Sequence, residues 1–489
     1  MAKHAETQLA PDWLKVPNDL NAISAKVWPE TARRDVDGEF TVGGITVDEL
    51  VNQFGTPLYV VDEQDFRNRA ARVKKALTNA AERIGTTAKV YYASKAFLCT
   101  GVVEWVDQLG LSIDVSTSGE LAAALAGGIP AERIGLHGNN KSPGEIGRAI
   151  AAGVGAIVID SDIEIERIAS IAAAMDKVQP VRLRVSTGVH ADTHDFLATA
   201  REDQKFGIPL SEAAALVAKI RSDRHLKFLG LHQHIGSQIY SADGFVASTK
   251  RLIQLHAELL AGGEIPELNL GGGFGINYKL ADNAPEVAVT AHAITDVVAA
   301  ECQRLGIKVP ALAFEPGRAI VGNSGITLYN VGTIKDVTLT DASTDGVPAV
   351  RKYVSVDGGM SDNIRTALYE AEYHVVLASR VSSAAPALSR VVGKHCESGD
   401  IVVRHDYLPS DVAPNDLLAV AATGAYCHSM ASNYNWIERP PVVSVRDGQA
   451  TLLVRGETEA DLFARDVVYQ NKLSEQAKQA SQAKRNEKG

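Results

Sequence analysis

The sequence predicts an α/β protein: a parallel (β/α)8 barrel with a second, mostly antiparallel β domain. Three observations carry that expectation. Short apolar runs alternate with longer helical patterns from about residue 55 to 320. After residue 325 the texture changes to quickly turning, β-like runs with few helical patterns. A chain of 489 residues is also too long for one hydrophobic core.

The strand-like runs are TPLYVV (56–61), KVYYA (89–93), LSIDV (111–115), RIGLHG (133–138), AIVID (156–160), VRLRV (181–185), KFLGLHQH (227–234), ELNLGG (267–272) and ALAFEPG (311–317). Ala-rich stretches such as ELAAALAGG and AAALVAKIRS lie between them. Strands alternating with helices make βαβ units, and strands covered on both faces read as continuous apolar runs. Nine runs are one more than a barrel needs, so the first is assigned outside it, leaving eight from KVYYA to ALAFEPG. Beyond residue 325, GITLYNVGTIKDV, YVSVDGG, DIVVRHDYL and PVVSVRDG read as all-β. The expected organisation is an N-terminal segment (1–60) joining the β domain, a barrel (61–325), a C-terminal β domain (326–470) and a frayed polar tail (471–489).

Composition narrows the function classes. A net charge of −10 without a basic stripe argues against a nucleic-acid partner. Cysteines 99, 302, 396 and 427 form no CxxC pair, so neither a zinc ribbon nor a disulfide framework is expected. MAKHAETQLAPDW lacks a signal pattern, and no apolar run reaches the roughly 18 residues of a membrane span. These features predict a soluble cytoplasmic protein with no membrane partner.

In a (β/α)8 barrel the active site lies where strands end and helices begin. Lys95 ends the first barrel run, Asp114 lies in the second and His137 ends the third. His234 ends the sixth in HQHIGS, GGGFG (271–275) ends the seventh, and Glu315, Gly317 and Arg318 end the eighth in EPGR. Each alone has a plain reading. YYASKAFLC (91–99) reads as a buried strand holding a snorkelling lysine, GGGFG as a turn, His234 as a core histidine and Glu315 as a helix-start carboxylate. Together they fit one demand. Pyridoxal 5'-phosphate needs an activated lysine for its aldehyde and a glycine cradle for its phosphate. It also needs a flat ring against its face and an acid at its pyridine nitrogen. In the second domain, DGGMSDNIRTALYE (357–370) places Arg365 and Tyr369 four apart, on one face if helical. HCESGD (395–400) sets a thiol beside a carboxylate, and GAYCHSMASNYN (424–435) holds Tyr426 in a loop-like setting.

YASKA, HIGSQ, GGGFG, EPGR, DGGMSDNIR, CESGD and GAYCHSMASNYN, in that order, resemble the diaminopimelate decarboxylases over roughly residues 55–440. These are pyridoxal-phosphate enzymes with an alanine-racemase-like barrel. The resemblance implies decarboxylation of meso-2,6-diaminopimelate to L-lysine and carbon dioxide. It makes Lys95 the Schiff-base lysine, stacks His234 on the cofactor ring and gives the phosphate to Ser237, Gly272, Gly273 and the backbone of residues 315–318. Glu315 would pair with the pyridine nitrogen, and Asp114, His137, Gly317 and Tyr426 join the cofactor set. Arg318, Arg365 and Tyr369 would grip the distal carboxylate, and Tyr426 would also touch substrate. Glu397 would take the distal ammonium and Cys396 would protonate the carbanion, both from the partner subunit of a homodimer. One departure stands out: the loop 186–207 opens with Ser186-Thr187 where the family usually has Asn-Pro, and carries Ala200 where a glycine often follows.

Two other readings compete. A decarboxylase of ornithine, arginine or a related basic amino acid would share the fold, but Glu397-Ser398 and the paired arginines speak against it. A catalytically silent relative would be expected to lack Lys95 or Cys396, and both are present.

Overall fold

The computed structural model describes residues 9–189, 205–344 and 347–486. Most of the 186–207 loop, Ala200 included, lies outside the described residues. Eight strands form the barrel: Ala88–Ala93, Ser112–Val115, Ile134–Leu136, Ala156–Ile159, Gln179–Ser186, Leu226–His232, Glu267–Asn269 and Ala311–Phe314. Each pairs in parallel with the next, and the eighth pairs with the first, so the sheet closes. The fourth strand is buried along its whole length, as a strand between helices and a packed interior must be. The crossover helices carry local start and stop signals. Ser142 and Glu145 form a capping box on Pro143–Ala152, which stops at a left-handed Gly153. Thr117 caps Ser118–Ala126 by accepting from the Glu120 N–H.

The run at 56–61 lies outside the barrel, as its excess over eight implies. Leu58–Asp62 pairs antiparallel with Gly325–Thr344 and parallel with Val442–Arg446. Gly325–Thr344 also pairs antiparallel with Val347–Val356 and Leu417–Val420 in this second, mostly antiparallel sheet. The segment GEFTVGGITV supplies two strands (Phe40–Val42, Ile45–Thr46) that join the preceding Arg33–Arg34 in a separate three-stranded sheet. It is held to the C-terminal half where the Phe40 N–H donates to Ala378 O at 2.8 Å.

The C-terminal tail is not frayed over its described part. Val467–Asn486 is one helix with no buried residue. Ala, Gln, Lys and Glu favour helix intrinsically, yet they supply no apolar face to dock it. Among the described residues no helix is long and apolar enough to cross a membrane.

Candidate active site

The first barrel strand stops at Ala93, and Ser94–Ala96 form a single 3-10 turn. Lys95 is therefore not the buried strand lysine that YYASKAFLC suggests. It stands exposed at the barrel mouth, lining two adjoining cavities of about 440 and 880 Å³. The turn is pinned from both sides. Ala96 O accepts from the Tyr426 N–H at 2.7 Å and from Ser429 Oγ at 3.0 Å. Gly317 packs so close that a Cβ there would lie 2.9 Å from Ala93 Cβ. Tyr426 adopts φ +70, an uncommon conformation for a non-glycine residue and one that recurs at functional sites.

The inner cavity ends in a buried acid cluster collected from five strand ends. His137 Nε2 lies 3.2 Å from Asp114 Oδ1 and 3.5 Å from Glu315 Oε1. His232 Nε2 lies 3.1 Å from Glu315, and Asn269 Nδ2 donates to Glu315 Oε1 at 2.6 Å. Burial alone would raise Glu315, but contact with His232 and His137 outweighs it and holds this carboxyl well below its ordinary range. Burial, and after it the negative charge of Glu315, pushes Asp114 well above that range. Burial also lowers His137 and His232 to about 4, leaving both rings neutral at pH 7. The two carboxyls of the cluster are thus pushed in opposite directions, with Glu315 held by Asn269, His232 and His137.

His234 lines the same cavity, and its Nδ1 accepts from the Gly272 N–H at 3.3 Å. Gly272 is therefore committed to orienting His234. No side chain fits there, since a Cβ would come within 2.1 Å of Glu315 O. At Gly273, φ is +111 and a Cβ would lie 2.4 Å from Gly236 O. The N–H groups of Gly236, Gly273 and Arg318 find no acceptor among the described residues, and all three residues line the cavity. Such a ring of free N–H groups can hold an anion.

The outer cavity carries two buried arginines. Arg318 donates to the Tyr278 hydroxyl and, at 2.7 Å, to Ser237 Oγ, with its guanidinium 4.6 Å from the Tyr426 ring. Arg365 donates to the Tyr373 hydroxyl and lies 4.8 Å from the Tyr278 ring. The DGGMSDN turn places it: Asp362 accepts from the Gly359 N–H at 2.8 Å and from the Tyr329 hydroxyl. Neither arginine has a carboxylate partner among the described residues. On the short helix Arg365–Tyr369, Arg365 turns inward while Tyr369 stays exposed at the rim, and both line the outer cavity. Cys396 and Glu397 line neither cavity; both are exposed on a loop fixed by Asp400, which accepts from the His395 N–H at 2.8 Å.

Sequence reasoning missed His232, Asn269, Tyr278 and Tyr373. His232 had a signal, because HQH sets two histidines two residues apart at a strand end. The other three had none that pattern could isolate.

Residues 65–322 match the family described as pyridoxal-dependent decarboxylase, pyridoxal binding domain. Over 458 residues the chain is 48 % identical to a diaminopimelate decarboxylase of Mycobacterium tuberculosis, covering 92 % of this chain and 100 % of the relative. The chain belongs to the diaminopimelate decarboxylase family. A diaminopimelate decarboxylase of Bacillus subtilis is 40 % identical over 443 residues, covering 90 % of this chain and 98 % of the relative. Among solved structures, a diaminopimelate decarboxylase from M. jannaschii in complex with L-lysine superposes with a TM-score of 0.81 at 31 % identity, covering 90 % of this chain and 98 % of that one. In this decarboxylase family member the residues at the barrel mouth fit pyridoxal 5'-phosphate: a cavity-facing amine, free N–H groups around a cradle that a Cβ would fill, and a buried ionised acid.

Proposed function

We propose that this protein decarboxylates meso-2,6-diaminopimelate to L-lysine and carbon dioxide, using pyridoxal 5'-phosphate held covalently through Lys95. The observation that carries the reading is the pair Arg318 and Arg365, buried, without carboxylate partners among the described residues, and lining the same cavity as Lys95. A substrate with carboxylates at both ends supplies what they lack.

When bound, the cofactor supplies an electron sink for the bond that breaks. The remaining work falls to this chain. Gly236, Gly273, Ser237 and the backbone at 315–318 would hold the phosphate. Glu315, with His232 and Asn269 against it, would retain the proton on the ring nitrogen, and Asp114 and His137 belong to the same cluster. His234, oriented by Gly272, would stack on the cofactor ring, and Tyr426 would contact cofactor and substrate. Arg318, Arg365 and Tyr369 bind the distal carboxylate and so orient the scissile end. The bond to the reacting carboxylate breaks, its carbon leaves as carbon dioxide, and a proton takes its place at the same carbon. In a homodimer, Cys396 of the partner subunit gives that proton and Glu397 of the partner subunit takes the distal ammonium. The exposure of that loop in a single chain supports this arrangement.

The test is lysine formation from meso-diaminopimelate with pyridoxal phosphate supplied, beside ornithine and arginine. Lysine from diaminopimelate alone is the expected result. Product only from a basic amino acid would keep the cofactor reading and overturn the substrate.

A further inference from the structure

The segment before the barrel is tied down along its length. Arg351 Nη2 donates to Leu9 O at 2.8 Å, and Lys26 Nζ donates to Leu280 O at 2.8 Å. Between them Asn21 Nδ2 donates to Ser382 O, and the Ser382 N–H donates back to Asn21 Oδ1, each at 2.9 Å. Within this strap Trp13 lays its indole 4.9 Å from Lys279 Nζ, which also holds Asp282 Oδ1 at 2.8 Å. Asp282 accepts in turn from the Tyr278 N–H at 2.9 Å. Tyr278 carries Arg318 on its hydroxyl and Arg365 against its ring. Trp13 therefore backs the wall that presents both arginines.

It also divides space. The outer active-site cavity of about 880 Å³ and a second cavity of about 400 Å³, beneath residues 13–24 and against His374, Asp406 and Tyr407, share only Trp13 and Lys279 in their linings. Lys279 is a flexible, hydrated chain already engaged with Asp282. The rigid indole is the partition.

We propose that Trp13 is a specificity-determining residue: it closes the substrate cavity off from the second cavity and limits the length of diamino diacid that fits between Lys95 and the wall carrying Arg318 and Arg365. The inference rests on the diaminopimelate reading above and extends it to a residue outside the barrel and the β domain. Truncating Trp13 removes a side chain that the two cavities share and opens room for a longer substrate.

The experiment compares the holoenzyme with Trp13→Ala and Trp13→Phe on meso-diaminopimelate and on its homologue with one further methylene between the two amino-acid heads. The expected result is that Trp13→Ala raises the homologue-to-diaminopimelate ratio of kcat/KM by at least about fivefold, as removal of a steric barrier to one methylene allows. Trp13→Phe stays within about twofold of the parent, and the visible absorption of bound cofactor is the same in all three. A ratio unchanged within about twofold in Trp13→Ala, with the parent active on diaminopimelate, overturns the proposal. A parent that binds cofactor but does not act on diaminopimelate overturns the proposal together with the substrate reading, and the parent's own result tells the two failures apart.

Discussion

Replacing Arg365 by Met sets stability against activity. Arg365 is 6 % exposed, donates to the Tyr373 hydroxyl and lies 4.8, 5.7 and 5.9 Å from the rings of Tyr278, Tyr373 and Tyr426. Burying an unpaired ion costs several kcal/mol even after relaxation. The ring contacts return about 0.5–2 kcal/mol each and the hydrogen bond about 1 kcal/mol, so the sum lies near zero. Methionine fills much of the same space, and the expected change in stability is below about 1.5 kcal/mol. Turnover behaves otherwise. A charge-assisted contact to the substrate carboxylate contributes roughly 1.5–3 kcal/mol, or about 10- to 150-fold in kcat/KM. The low local dielectric puts the expectation near the upper end, about 100-fold. Lysine production at several diaminopimelate concentrations, together with thermal midpoints of both holoenzymes, measures the two effects. A kcat/KM within about threefold of the parent, or a stability loss above about 3 kcal/mol, refutes the reasoning, because the guanidinium would then be structural.

Other changes test other parts of the site. Lys95→Ala removes a side chain exposed to the cavity, so the chain folds as before but retains no borohydride-trappable cofactor; mixing it with Cys396→Ala restores activity to at most about a quarter of the parent if sites are shared across a two-fold dimer. Gly272→Ala forces a Cβ to within 2.1 Å of Glu315 O and abolishes the visible cofactor band, whereas Gly144→Ala, with nothing within 4 Å, leaves the band intact. Burial lowers His256 to about 4 from an ordinary 6.5, so the folded state binds fewer protons between those values and stability falls as pH drops through them. His256→Leu flattens that fall by up to about 1.4 kcal/mol per pH unit, read from urea midpoints at mildly acidic pH, and an unchanged slope would show that His256 does not carry it.

The barrel was legible because its strands are covered on both faces and read as unbroken apolar runs, while one run too many identified Leu58–Asp62 as foreign to it. Lys95, His234, Glu315 and Arg318 were legible because strand ends are where a barrel keeps its chemistry. Their environments were less so. Lys95 looked like a buried strand residue, yet the strand breaks into a 3-10 turn that the Tyr426 loop holds open from far along the chain. His232 and Asn269 set the charge of Glu315 through contacts between strand ends 83 and 46 residues apart, which no local period encodes. The helix at 467–486 was missed because a polar stretch of good helix formers has no amphipathic signature. Trp13 carried no motif, and its place follows only from anchors such as Asn21 to Ser382, 361 residues apart.

The charge layout decides between a diacid and a basic amino acid. Lys95, Ser237, Arg318 and Tyr426 line both cavities, so the inner acid cluster and the outer arginines meet at the reacting amine. The outer cavity also has Glu370 and Glu372 in its lining, which gives it groups of both signs. A zwitterionic head can satisfy both at once. Ornithine brings only a cation, leaves Arg318 and Arg365 unmatched, and adds a third positive group beside them. At an effective dielectric of about 20, two like charges about 4 Å apart repel by roughly 4 kcal/mol, and at twice that distance by about 2 kcal/mol. Two such terms, partly offset by the rim carboxylates, place ornithine at least about 100-fold below diaminopimelate in kcat/KM. In Arg365→Met the gap should close from both sides, with the diaminopimelate rate falling and the ornithine rate holding or rising. Equal losses on both substrates would mean that Arg365 acts on the cofactor end of the site, and the sorting of charges along the cavity would need another cause.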